Sequence, residues 1–117
     1  MKRIFVVEDD LGIRELLEYL LMSQEYAVKT FPTAGEFQNC ISHESADLIL
    51  MDVMLPDGNG LEMCRDLSKD PQRKKIPVML MSAHADQSLF DENCVKDFIA
   101  KPFDVDDLLT RIRGQLS

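Results

Sequence analysis

The sequence predicts an α/β protein in which a five-stranded parallel sheet carries helices on both faces, and three observations lead there. The runs at residues 4–7, 48–51 and 78–81 are apolar at every position and too short for helices, as expected of strands buried on both faces. Five strand signals alternate with five segments whose apolar residues recur at helical spacing. No hairpin turn is read between consecutive strand signals, so the connections are crossovers, which are right-handed. All strands of such a sheet end on one edge, and open parallel sheets bind ligands beyond that edge.

Taken in order, residues 4–7 form a strand stopped abruptly by Glu8, Asp9 and Asp10. Residues 11–22 place Ile13, Leu16, Leu17, Leu20 and Leu21 on one helical stripe, with Arg14, Glu15 and Glu18 on the other side and Asp10 as the N-cap. Residues 27–31 carry Lys29 and Thr30 among apolar neighbours, as an edge strand does. Pro32 and Thr33 open a helix running to about Cys40, with Ala34, Phe37 and Ile41 inward. Residues 48–51 form the central strand, which ends at Asp52; Pro56, Gly58, Asn59 and Gly60 then turn the chain.

The next helix, about 60–68, buries Leu61, Cys64 and Leu67, and residues 69–77 make a solvated polar connection. The strand at 78–81 ends at Ser82 and Ala83, and a weak helix with Leu89 and Phe90 is expected over 86–93. Residues 98–100 are a short strand ended by Lys101 and Pro102. Val105, Leu108, Leu109, Ile112 and Leu116 mark the clearest amphipathic helix, capped by Asp104.

Composition narrows the function. A chain of 117 residues that is 45% hydrophobic is expected to be one domain, spanning 1–117, with an ordinary core. The net charge of -8 argues against direct nucleic-acid binding, which calls for a basic patch. Cys40, Cys64 and Cys94 are odd in number and widely spaced, so they read as buried free thiols in a reducing compartment. No signal peptide precedes Ile4 and no apolar stretch is long enough to span a bilayer, so the protein is expected to be cytoplasmic, with no membrane contact.

The shared strand edge gathers Glu8, Asp9, Asp52, Ser82 and Lys101. Singly, each is an ordinary loop, cap or surface residue; it is their ordering on one edge that points to chemistry. Clustered carboxylates repel unless a proton or a cation resides among them, and hard oxygen ligands suit Mg2+. A carboxylate can also act as a nucleophile and form an acyl phosphate. Phosphoryl transfer needs mainly positioning and charge neutralisation, which Lys101 and a hydrogen bond from Ser82 could supply.

Val-Val-Glu-Asp-Asp at 6–10, Met-Asp-Val-Met-Leu-Pro-Asp-Gly-Asn-Gly at 51–60, Met-Ser-Ala at 81–83 and Asp-Phe-Ile-Ala-Lys-Pro-Phe at 97–103 resemble the signature segments of two-component response-regulator receiver domains. The resemblance implies a flavodoxin-like sheet in strand order 2-1-3-4-5 flanked by five helices. It also implies that Asp52 accepts a phosphoryl group from a histidine kinase or phosphotransfer protein. Asp9, Asp52 and the Met54 backbone carbonyl would bind Mg2+, with Glu8 acting through water. Ser82 and Lys101 would contact the phosphoryl group, Phe98 would be the switch aromatic that follows Ser82, and Met54 and His84 would flank the path of an attacking water and tune the phosphorylated lifetime. His84 can also be read as a plain solvated loop histidine.

The interval from Ser82 to Lys101 is shorter than is common in that family, so the fourth helix is expected to be short or irregular. The downstream partner would be an effector protein or an output domain, with the chain either a stand-alone receiver or the N-terminal part of a longer regulator, and either a monomer or a phosphorylation-dependent dimer. Two other functions compete. A haloacid-dehalogenase-type phosphatase also uses a nucleophilic aspartate but wants an acid/base aspartate where Met54 stands. A pseudo-receiver would bind partners without phosphorylation, yet all five polar site residues are present.

Overall fold

The computed structural model describes residues 1–84, 91 and 93–117. The main sheet is built from β1 (Arg3–Val7), β2 (Ala27–Phe31), β3 (Leu48–Asp52), β6 (Val78–Ser82) and β7 (Val95–Ala100), all pairing in parallel in the order β2-β1-β3-β6-β7. Setting aside a short separate ladder, this is the expected 2-1-3-4-5 order. Side-chain alternation along the strands divides the core. Phe5, Val7, Ile49, Met51, Val78 and Leu80 face one way, and Ile4, Val6, Leu48, Leu50, Met79 and Met81 the other.

Helices α2 (Ala34–Ile41) and α3 (Gly60–Ser68) cover the first face, with Phe37, Ile41, Leu61 and Leu67 as the buried contacts. Helices α1 (Leu11–Ser23) and α4 (Val105–Leu116) cover the second, through Leu17, Leu21, Leu108 and Ile112. The expected caps form: Asp10 accepts from the Ile13 amide at 2.9 Å, and Asp104 from the Asp107 amide at 2.8 Å. Asn59 caps α3 by accepting from the Leu61 and Glu62 amides, a role visible in retrospect from an Asn with Glu three residues on.

Four helices are described, where five were expected; the one expected over 86–93 lies largely outside the described residues. Against expectation, one hairpin is present: β4 (Met54–Leu55) pairs antiparallel with β5 (Gly58–Asn59) around Pro56 and Asp57. Proline followed by aspartate suits a tight turn, so the segment after Asp52 folds back on itself before α3 begins. β7 starts at Val95, earlier than expected, because its polar Lys96 and Asp97 sit on an edge strand. Leu16, expected inward, is 45% exposed; the part of α1 that is fully buried against the sheet is only as wide as Leu17 and Leu21.

Gly60 locks this segment against β3. Its amide donates to the Val53 carbonyl at 2.8 Å. A Cβ at this position would collide with the Asp52 backbone oxygen and lie 3.1 Å from Val53 Cα. Only glycine allows so close a backbone approach. Gly60→Ala is therefore expected to destabilise the protein by about 3 kcal/mol, near the upper end for overpacking. Urea unfolding checks this, and Gly114→Ala, where nothing lies within 4 Å of the added methyl, is the control that should not destabilise.

Candidate functional site

The carboxyl ends of β1, β3, β6 and β7 deliver the candidate residues together. Glu8 follows β1, and its amide donates to the Phe31 carbonyl at 3.0 Å, so the loop leaves the sheet from a fixed point. Asp52 is the last residue of β3 and Ser82 the last of β6, while Lys101 follows β7 and donates its amide to the Ser82 carbonyl at 2.8 Å. Glu8, Asp9 and Asp52 each bring a carboxylate oxygen within 4.8 Å of the other two. Glu8 and Asp52 are buried, at 1% and 7% exposure, whereas Asp9 faces solvent.

Lys101 holds the buried pair. Its ammonium donates to Glu8 Oε2 at 2.8 Å and to Asp52 Oδ2 at 2.7 Å. The Met54 amide donates to Asp52 Oδ1 at 3.1 Å, fixing the carboxylate plane from the other side. Burial works to lower the Lys101 pKa, but the bonds to Asp52 and Glu8 outweigh it and hold the group above the ordinary lysine value. Burial pushes the Glu8 carboxyl up to about 7; the Lys101 bond opposes that rise and the neighbouring Asp52 reinforces it. One ammonium cannot neutralise three carboxylates, so the cluster retains room for a further cation.

Ser82 points its hydroxyl into its own turn, accepting from the His84 amide at 3.0 Å and donating to the His84 carbonyl at 3.1 Å. Phe98 is half-buried against the core beneath α2 and α3. It stands opposite Leu80, one alternation before the Ser82–Ala100 pair, so Ser82 and Phe98 share a sheet face. Met54 is 68% exposed and His84 is also exposed, which places both at the rim expected of them.

Two residues at the site escaped the sequence reading. Arg14 was assigned to the solvent side of α1, but its Nη1 donates to the carbonyls of Glu8 at 2.9 Å and Asp9 at 3.2 Å. Asp57 had no role in the sequence reading; its carboxylate accepts from the Ala34 and Gly35 amides at 2.8 and 2.9 Å, tying the hairpin after Asp52 to the N-terminus of α2. Those bonds hold the Asp57 carboxyl below its ordinary range.

A parallel doubly wound sheet with an acidic pocket at the β1/β3 switch point defines a flavodoxin-like domain with a charged site. The sequence profile of the response regulator receiver domain matches residues 4–113, and the chain belongs to that family of phosphorylation-dependent modules of two-component signalling. The family consists of phosphoacceptor signalling domains, not turnover enzymes. Its members bind Mg2+ at an acidic pocket and interact with histidine kinases and output effectors.

Transcriptional regulatory protein GltR of Pseudomonas aeruginosa is 32% identical over 118 residues, spanning 98% of this chain and 49% of that protein. Response regulator ArlR of Staphylococcus aureus is 35% identical over 122 residues, spanning 99% of this chain and 53% of that protein. The chain thus spans about half the length of these curated relatives. The crystal structure of response regulator TrrA from Thermotoga maritima, in complex with Mg2+-BeF, matches at 28% identity and a TM-score of 0.89, over 99% of this chain and 100% of that one.

Removing Lys101 leaves two buried carboxylates facing each other without compensation. Breaking a fully buried pair costs about 3–5 kcal/mol. Because Lys101 is 14% exposed, water recovers part of that. Lys101→Met is expected to lower stability by about 2 kcal/mol without metal at pH 8, as measured by urea unfolding.

Proposed function

We propose that this chain is a single receiver domain over residues 1–117 and that Asp52 is its phosphoryl acceptor. The observation that carries this reading is the Asp52 carboxylate itself: buried at a strand end, held by the Met54 amide and Lys101, and beside two further carboxylates. A carboxylate oxygen of Asp52 would attack the phosphorus of a phosphohistidine on a histidine kinase or phosphotransfer protein. The O–P bond forms as the P–N bond breaks, and the imidazole leaves with the electron pair and takes up a proton.

The donor set fits a hard divalent cation, since three carboxylates converge and, among the described residues, no sulfur or imidazole ligand stands with them. Asp9, Asp52 and the Met54 backbone carbonyl would hold Mg2+, with Glu8 acting through water; the ion would supply charge neutralisation to the phosphoryl oxygens. TrrA, solved with Mg2+-BeF, supports this assignment. Lys101, already 2.7 Å from Asp52, would follow the new charge onto a phosphoryl oxygen. Met54 and His84 would flank the approach of a hydrolytic water and so set the lifetime of the acyl phosphate. Met54 is apolar and shields the path without orienting water.

On this reading the chain assists its own phosphorylation and dephosphorylation but does not turn over substrate. Its downstream partner is an effector protein or an output domain, it contacts no nucleic acid directly, and it works as a monomer or a phosphorylation-dependent dimer. A cytoplasmic location accords with the three free, buried cysteines. Incubation with a small phosphodonor and Mg2+ should give an acid-labile adduct that EDTA abolishes and that Asp52→Asn lacks while retaining its fold. Strong residual labelling of that variant would overturn the assignment.

The switch would run through Ser82. Its hydroxyl must leave His84 to reach a phosphoryl oxygen, and the space it vacates would admit the half-buried Phe98 ring. Ser82→Ala is expected to accept phosphate yet lose the coupled movement. NMR shifts around Phe98 on phosphorylation should be large in the wild type and small in the variant; equal shifts would break the link.

A further inference from the structure

Asp9 is the least supported member of the acidic trio. Its side chain is exposed and accepts no hydrogen bond among the described residues, whereas Glu8 is held by Lys101 and the Asp10 amide, and Asp52 by Lys101 and the Met54 amide. The position of its carboxylate therefore depends on its backbone. That backbone is gripped at two points: Asp10 caps α1 through the Ile13 amide, and the Arg14 guanidinium bridges the carbonyls of Glu8 and Asp9.

We infer that Arg14 is a positioning residue for the cation site: it clamps the Glu8–Asp9 backbone and so presents Asp9 to the metal. This rests on the reading of the acidic trio as a Mg2+ site. Arg14 makes no ion pair with a carboxylate among the described residues. It spends its donors on carbonyl oxygens and leaves the carboxylate oxygens open to a cation. Both bonds come from the one nitrogen Nη1, so the clamp needs a single cationic donor at that place, which a lysine ammonium can supply in large part.

The charge of Arg14 and its clamping act in opposite directions on metal affinity. A positive charge beside the trio repels a cation, so deleting it should by Coulomb's law alone tighten Mg2+ binding. Losing the clamp lets Asp9 wander and should weaken it. The sign of the change thus separates the two effects, and a role confined to fold stability would move neither.

The test is Mg2+ titration of the intact, folded chain, followed by calorimetry and by the backbone amide shifts of Asp9 and Asp10, without phosphodonor. Arg14→Ala and Arg14→Gln are expected to bind Mg2+ about tenfold more weakly than wild type, the usual scale for residues that orient metal ligands. Arg14→Lys should recover most of that loss. With a small phosphodonor, saturating Mg2+ should restore near wild-type phosphorylation of Arg14→Gln. Affinity that is unchanged or tighter in both Arg14→Ala and Arg14→Gln overturns the clamp while leaving the Mg2+ site intact. Wild-type protein that takes up no Mg2+ overturns the metal site and the clamp together.

Discussion

The contact on which the site depends is the double ion pair of Lys101. Its ammonium joins residues 93 and 49 positions away along the chain, Glu8 and Asp52, and so ties the end of β7 to the ends of β1 and β3. No local sequence preference could bring these groups together. Parallel pairing does, because every crossover returns the chain to the same edge, and the inner strands β1, β3 and β6 are buried on both faces and cannot slide without exposing a core residue.

That arrangement sets stability against function. A carboxylate trio with one ammonium is poorly compensated, and burial accordingly raises the Glu8 carboxyl well above the ordinary carboxylate range. Apolar residues would pack the same space at lower cost. The strain is held by what lies below it: the paired strands, the Gly60 backbone contact against β3, and the Asp57 tie to α2. Local rules give way at functional sites, and here the poorly compensated charges gather at one sheet edge.

The strands and the five polar site residues could be read in the sequence because each of those residues stops or closely follows an apolar run, and topology turns run ends into one edge. Helix caps at Asp10 and Asp104 were legible for a similar reason, since capping is local chemistry. Arg14 was hidden because its acceptors are backbone carbonyls, which every residue has and no motif marks. Asp57 and the small hairpin were hidden because they depend on where α2 starts relative to a segment more than twenty residues on. Leu16 misled because a helical stripe records periodicity and not the width of the face the sheet covers.

The Ser82 turn explains how a small chemical change could bias such a rigid edge. Its two bonds to the His84 backbone are neutral, each worth about 1 kcal/mol net. On the proposed reading they compete with a charge-assisted bond to a phosphoryl oxygen, roughly twice as strong. The two states then lie close to balance before Phe98 repacks, so a small further contribution decides which dominates. Because Ser82 and Phe98 share a sheet face, the ring's burial adds to the same side of the balance as the phosphate. On that reading phosphate would contribute the differential contact while β6 and β7 stay in register, and the switch would need only one hydroxyl and one ring to change places.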